Sequence, residues 1–431
     1  MKLVLIGLNY QTAPLALRER FYLADEPLRA ALDDLHRAGL DEVVILSTCN
    51  RLEIIACMEE TQSGMETMKA FLARSGGLSA EQLADYLYCL QGRAVVHHLM
   101  RVAAGLESLI LGETQILGQV AHALASAQTA HTDGTILSRL FTAALHAGKR
   151  ARHETAISQH TLSVSHAAVS LIKRQLDDLS KLRVLVIGAG EMGELAAKAL
   201  QMHGVRAITV MNRSNARAYN LAHHLGIEAI PWSHFSAALE QADVVIAVTS
   251  APQFVVRLDQ ISSLRRQRPL LIVDIGVPRN VDPQVAEMPN VQLYDIDDLR
   301  SVVSEHHSLR QSEIEAVEAI IAHEQTLFGQ WLDTRPIVPL IAELRGQAEA
   351  IAQHEVEQTL QRLPDLNDRE QEIVAQLAHR IVNKLLHAPT VTLKSRVAQG
   401  DHDDYAHTVR QLFALDQHQV ADADAERRGH D

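Results

Sequence analysis

Over residues 1 to about 90, short apolar runs alternate with helical periodicity. "KLVLIGLNY" reads as a first strand, and "VVILSTCNRLEII" (Val43 to Ile55) as two apolar, β-branched runs around a polar break, the pattern of a hairpin. "EPLRAALDDLHRAG" carries apolar residues at helical spacing and stops on Gly39, a usual helix end. Residues 93 to 175 read as largely helical, with a polar, glycine-bearing break at "LGETQILGQ", Leu111 to Gln119.

From Leu182 the texture changes. "LRVLVIGAGEMGELAAKALQMHG" is an apolar strand, a glycine-rich turn and a helix, and "AITVMNRS", "ADVVIAVTSA" and "PLLIVDIGVP" read as further strands. Continuous apolar strands between helices predict a parallel sheet covered on both faces. Beyond about Asp298 the pattern is helical, with Ile314, Val317, Ile321, Phe328 and Trp331 on one stripe. A helix over 297–333 would span roughly 55 Å at 1.5 Å per residue, too long for a compact domain, so it bridges domains or meets a partner chain. "TRPIVPL" ends it with two prolines; two more helices follow, split at Pro364, the second over about 368–387. "ADADAERRGHD" reads as a disordered tail.

Composition narrows the class. A chain of 431 residues exceeds one core, and 47% hydrophobic with 22% charged residues describes a globular protein. No run approaches the ~18 apolar residues of a membrane span. The opening "MKLVLIGLNYQTAP" reads as a strand, not a signal peptide. Three cysteines, an odd and sparse count, argue for a reducing cytosol over a disulfide framework, so a cytoplasmic location is expected. Cys57 and Cys89 read as packing cysteines. Among 23 histidines the adjacent pairs point about 100° apart on a helix, so no metal site is expected. A net charge of −13 disfavours broad nucleic-acid binding. The local cluster Lys149, Arg150 and Arg152 is either a phosphate contact or a solvated helix face.

"GAGEMG", Gly188, Ala189, Gly190, Glu191, Met192 and Gly193, stands between a strand and a helix as a G-x-G-x-x-G should. Gly188 permits the tight turn, Gly190 lets backbone approach a pyrophosphate at the helix N-terminus, and Gly193 lets the helix pack closely. At the end of the next strand an NAD site would place an acid. This chain has Asn212, Arg213 and Ser214, which suit the 2′-phosphate of NADPH.

Cys49 sits in the hairpin break beside Arg51, a cation able to lower a thiol pKa from about 8.5. Spacing alone leaves it open between packing and nucleophilic roles.

"STCNR" (Ser47 to Arg51), "HLMRVAAGLESLILGETQILGQV" (His98 to Val120), "GAGEMG" with "NRS", "GLNYQTAPLALRE", "DIGVPRNVDP" and "NKLLHAPTVTLK" together resemble the glutamyl-tRNA reductase family, in order and over nearly the whole chain. The chain departs at Tyr10, Glu107, Thr114 and Gly276, where the family usually has His, Asp, Pro and Ala. The resemblance implies an α/β multidomain chain: an N-terminal α+β catalytic domain (1–155), a Rossmann-like NADPH domain (156–300), a C-terminal helical dimerisation domain (301–418) and a tail (419–431). It implies that Cys49 attacks the ester of glutamyl-tRNA(Glu), and that NADPH reduces the thioester to glutamate-1-semialdehyde, the first committed step to tetrapyrroles. His98 is then the functional histidine, although on spacing His97 is its equal. Arg51 would bind the glutamyl carboxylate and activate the thiol, two jobs left unranked. Thr48, Asn50, Ser108, Thr114, Gln115 and Gln119 would contact the aminoacyl group, and Glu113 its ammonium. A homodimer is implied, and pathway analogy adds glutamate-1-semialdehyde aminomutase as a partner. The rivals are another NADPH dehydrogenase, since the middle domain resembles shikimate dehydrogenase, and a dimeric NADPH-dependent scaffold without turnover.

Overall fold

The computed structural model describes residues 2–158, 164–176, 178–264, 268–299, 311–397 and 402–415. Two compact units divide it, Met1–Gln325 and Thr326–Asp431.

The first unit opens with an antiparallel sheet of four strands, β1 (Lys2–Asn9), β2 (Glu42–Ser47), β3 (Arg51–Met58) and β4 (Tyr88–Gln91), in the order β2-β3-β1-β4. β2 and β3 form the expected hairpin, with Ser47 opposite Leu52 at its mouth. Central β3 is buried along its whole length, its polar Arg51 and Glu53 included. Helices Asp25–Arg37, Arg93–Ala104, Gln115–Ala130 and Gly134–Glu154 pack around this sheet. The break foreseen at Leu111–Gln119 lies earlier in the chain, since the helix already starts at Gln115. β4 escaped the sequence reading because it is a short edge strand of alternating exposure, and Cys89 within it is exposed rather than packed.

Six parallel strands follow in the same unit: β5 (Arg183–Ile187), β6 (Ala207–Met211), β7 (Glu228–Ala229), β8 (Val244–Ala247), β9 (Leu270–Asp274) and β10 (Val291–Tyr294). Their order is β10-β9-β8-β5-β6-β7, so strand order reverses between β5 and β8. Alternate residues feed two cores: Val184, Val186, Val244 and Ile246 face one, and Leu185, Ile187, Val245 and Ala247 the other. Apolar residues on both faces give the continuous runs read from the sequence. β7 and β10 are short edge strands without that signature.

The helix predicted over 297–333 is Gln311–Asp333, about 35 Å at 1.5 Å per residue. Residues 296–299 are a turn after β10, and 300–310 lie outside the described residues. Val317, Ile320 and Ile321 are buried. Within the first unit Glu318 meets Arg101 and, at 3.0 Å, His97, while Glu324 takes Arg150 at 2.9 Å.

In the second unit, Val338–Arg362 and Asp368–Val397 pack together around Leu340, Ile341, Leu344, Leu386 and Leu393. The second runs ten residues past the predicted 387: Leu386 and Leu393, two turns apart, both enter the core, so Pro389 forgoes one backbone bond without ending the helix. An additional helix, His402–Leu412, was not foreseen. Ile351, Ile381, Leu385 and Phe413 leave an apolar groove exposed. The predicted tail lies outside the described residues.

Candidate active site

Cys49 occupies the tip of the β2–β3 hairpin. Thr48 N–H donates to the Arg51 carbonyl at 2.9 Å, and the Thr48 hydroxyl accepts from the N–H groups of Asn50 (3.1 Å) and Arg51 (3.2 Å). Arg18, buried, donates through Nη1 to the Cys49 carbonyl at 2.8 Å and to Asn50 Oδ1 at 3.4 Å. Thr48 and Asn50, expected to touch the aminoacyl group, therefore use their polar atoms to shape the turn, and both are buried. Ser108 is buried as well; its carbonyl accepts from the Tyr10 hydroxyl at 3.5 Å, and none of these three residues lines the cleft that Cys49 faces.

Arg51 departs most from expectation. Strand alternation puts Arg51 and Glu53 on one face of β3. Arg51 Nη1 donates to Glu53 Oε1 at 2.7 Å, Nη2 donates to the Glu107 carbonyl, and the residue is 2% exposed. Its charge is spent there, and it lines no part of the cleft. The Cys49 thiol is accordingly not activated: burial, then the negative charge of Glu113, push it up to about 12, against weaker pulls from Arg18 and Arg51.

His98 Nε2 meets the same Glu53 Oε1 at 2.8 Å, and the Tyr88 hydroxyl donates to it at 2.5 Å. Burial works to raise the Glu53 pKa, but Arg51, His98 and Tyr88 outweigh it, and the carboxyl is held well below the usual range. His97, about 100° round the helix, turns instead to Glu318. The tertiary structure thus separates two histidines that spacing left equal, although His98 belongs to this buried cluster and not to the cleft lining.

The cleft holds about 560 Å³. Cys49, Glu113, Gln115 and Gln119 line one side; Gly188, Ala189, Gly190, Glu191, Met192, Asn212, Arg213 and Ser214 line the other. Glu113 is half-buried and burial pushes its pKa up to about 7, opposed by Arg51 and Arg152. Gln115 Nε2 reaches Met192 Sδ at 2.9 Å, joining the two sides. Thr114 is exposed on an adjoining hollow with Gln115, Gln119 and Ser47.

Each glycine has its own reason. Gly188 has φ +122°, and a Cβ there would lie 2.1 Å from the Val248 carbonyl oxygen. A Cβ on Gly193 would lie 2.1 Å from the Gly188 oxygen, whereas one on Gly190 meets nothing within 4 Å. Gly193 thus serves packing, and Gly190 leaves the cleft open beside the helix N-terminus of Glu191–Met202. The cleft lies at the carboxyl ends of the paired strands β5 and β8, where strand order reverses, the usual ligand position in such sheets. At its rim stand Arg213, just before the helix Asn215–Leu225, and Arg217 in that helix's first turn; among the described residues neither has an acidic ion-pair partner. Open space at Gly190 and free cations at the rim fit a phosphate-bearing dinucleotide.

The opposite wall follows β9. Asp274 Oδ2 accepts from the N–H groups of Asn280 (2.7 Å) and Val281 (2.8 Å), and Asn280 Oδ1 accepts from Thr249 N–H at 2.5 Å. The basic cluster, by contrast, is largely consumed. Arg150 pairs with Glu154 and Glu324, while Arg152 donates to the carbonyls of Ala103, Gly148 and Glu113. Of the cluster left open between a phosphate contact and a solvated helix face, Lys149 alone is exposed.

Sequence reasoning missed Arg18, Glu53, Tyr88, Arg217 and Trp232. Glu53 was legible as the second residue of an Arg-x-Glu on one strand face, and Arg217 as a cation in the first turn of the helix that follows Arg213. Arg18, Tyr88 and the cleft-lining Trp232 carry no local signal.

A Rossmann-like parallel sheet, with an open glycine loop and a cationic rim beside a cysteine hairpin, has the form of a dinucleotide-binding domain. Family models match in sequence order: the glutamyl-tRNAGlu reductase N-terminal domain over residues 6–155, shikimate/quinate 5-dehydrogenase over 170–302, and the glutamyl-tRNAGlu reductase dimerisation domain over 316–415. The glutamyl-tRNA reductase of Geobacillus thermodenitrificans is 41% identical over 96% of this chain and 92% of its own length. That of Moorella thermoacetica is 43% identical over 96% and 95%. The solved glutamyl-tRNA reductase of Methanopyrus kandleri is 33% identical over 96% of this chain and 99% of its own, with a TM-score of 0.47. The chain belongs to the glutamyl-tRNA reductase family. It is an oxidoreductase of the first committed step of tetrapyrrole synthesis, with a dimerisation domain at its C-terminal end. Among the described residues no helix is long and apolar enough to cross a membrane.

Proposed function

We propose that the chain reduces glutamyl-tRNA(Glu) to glutamate-1-semialdehyde with NADPH, through a thioester on Cys49. The observation that carries this reading is that Cys49 opens into the same cleft as Gly190 and Arg213. Attack by the Cys49 sulfur forms the C–S bond as the C–O bond to the tRNA ribose breaks, and the ribose oxygen takes up a proton. An aminoacyl ester is already activated, so a thiolate displaces it without a metal. When bound, NADPH would supply a hydride to the thioester carbon, a far better acceptor than a carboxylate; the C–S bond then breaks, the aldehyde is released and Cys49 returns as the thiolate.

Glu113 receives the substrate ammonium, and the amides of Gln115 and Gln119, with Thr114, hold the aminoacyl group. Burial is the larger cause of the raised thiol pKa; an ammonium beside Glu113 would cancel the second, the negative charge that opposes the thiolate. His98, the functional histidine that the resemblance implies, is held by Glu53 behind the cleft lining, so a proton-handling role would require its ring to leave Glu53 and turn to the cleft. Backbone groups of 188–193 would hold the pyrophosphate. Arg213, Ser214 and Arg217 would hold the 2′-phosphate, which favours NADPH over NADH. A cytoplasmic dimer that hands its reactive aldehyde to glutamate-1-semialdehyde aminomutase completes the reading.

The test incubates the protein with glutamyl-tRNA and NADPH and measures dinucleotide oxidation against semialdehyde. Coupled turnover is expected, and Cys49→Ser should abolish it while retaining NADPH binding. Oxidation driven by glutamate or a shikimate-type substrate without tRNA would favour another dehydrogenase. Binding without turnover would favour a scaffold.

A further inference from the structure

Arg18 and Glu19 are consecutive, yet they grip two separate segments of the nucleotide-binding region. While Arg18 Nη1 holds the Cys49 carbonyl at 2.8 Å, its Nη2 donates to the Asp297 carboxylate. Glu19 takes Arg279 through Nε at 3.0 Å to both carboxylate oxygens and through Nη2 at 2.9 Å. The side chains are mostly withdrawn from water, 2% and 26% exposed in the first pair, 21% and 15% in the second. Both partners adjoin the cleft wall: Asp297 follows Ile296 directly, and Arg279 lies two residues after Val277, and both Ile296 and Val277 line the cleft. Leu15, in the same short segment, packs into the core shared with Val186 and Ile246. One turn of chain thus touches the nucleophile on one side and the cofactor wall on the other.

Arginine–carboxylate pairs of this kind add strict geometry more than they add net stability. That property suits a joint whose two halves must meet in one register.

We propose that the ion pairs Arg18–Asp297 and Glu19–Arg279 form a latch that holds the Cys49 turn against the dinucleotide cleft, required for reduction of the acylated cysteine but not for its acylation. The inference rests on the reading that Cys49 carries the glutamyl group. Acylation needs only the turn and the aminoacyl site. Reduction needs both walls in contact, and a misplacement near 1 Å costs on the order of 10²-fold in rate.

The full-length chain is compared with Asp297→Asn, Arg279→Ala, their double variant, and the reversed pair Glu19→Arg with Arg279→Glu. Transfer of labelled glutamate from tRNA to protein is measured without dinucleotide, and reduction with NADPH. Shielding of Cys49 from iodoacetamide by saturating NADP+ is followed by mass spectrometry, with NADP+ binding checked by calorimetry. The double variant should transfer glutamate at the parent's rate, reduce on the order of 10²-fold more slowly, and lose the shielding while still binding NADP+. The reversed pair should recover both reduction and shielding. Parent-like reduction and shielding in the double variant would overturn the latch, as would transfer and reduction falling in parallel. If the parent takes up no glutamate on Cys49, the thioester reading fails, and the shielding measurement still decides the latch.

Discussion

Arg51 and Glu53 meet at 2.7 Å on one face of β3 with side chains 1% and 0% exposed, and His98 and Tyr88 converge on the same carboxylate oxygen. The cation two residues after Cys49 is therefore half of a buried ion pair. Glu53→Ala leaves Arg51 charged and uncompensated, and should destabilise the protein by about 3–5 kcal/mol in urea unfolding. Replacing both residues with apolar ones of similar volume should recover most of that loss.

The same pair sets an acid limit. The folded Glu53 pKa lies below its unfolded value of 4.5, so its contribution is fully present above 4.5 and is lost as pH falls through the folded value. Glu53→Gln should flatten the decline of unfolding free energy below 4.5; an unchanged slope would mean that other carboxylates carry it.

Glu113 and Cys49 oppose one another. With the thiol near 12 and Glu113 near 7, alkylation of Cys49 at neutral pH should be slow relative to free cysteine. Glu113→Gln removes the like charge, so above pH 7 alkylation should quicken. Well below 7, where Glu113 is already protonated, the variant and parent should react alike. Iodoacetamide rates against pH, read at Cys49 by mass spectrometry, check both arms.

The glycines of the turn should separate stability from binding. Gly193→Ala pushes a methyl group toward a backbone oxygen 2.1 Å away and should cost about 1–3 kcal/mol, visible as a lowered Tm. Gly190→Ala meets no protein atom within 4 Å, so Tm should hold while NADPH affinity falls.

Cofactor choice should follow the rim. Arg213→Ala combined with Arg217→Ala should weaken NADPH by tenfold or more, since a hydrogen bond to a charged group contributes about 1.5–3 kcal/mol. NADH binding should be little changed, and titration of each dinucleotide gives the ratio.

What was legible in the sequence was what short-range chemistry dictates. The glycines of "GAGEMG", the apolar strands around them and the Cys49 hairpin each announce themselves within a few residues. Gln115 and Gln119, one helical turn apart, and Glu113 just before them were carried to the cleft by the family resemblance and stand there. Thr48, Asn50 and Ser108 were named beside them, but their polar atoms turn inward. Sequence proximity to a nucleophile does not say which way a side chain points.

Local periodicity and turn chemistry, by themselves, determined the doubly covered parallel sheet, the glycine-rich loop and the place of Cys49 at a hairpin turn. The tertiary structure decided which charges remain free. It joined Arg51 to Glu53, turned His97 and His98 to different partners, consumed Arg150 and Arg152, and brought Arg18 from far along the chain to the Cys49 carbonyl. Burial makes an unpaired charge costly, so each cation inside the fold is claimed by whatever carboxylate or carbonyl the packing brings near, and no local pattern specifies that partner.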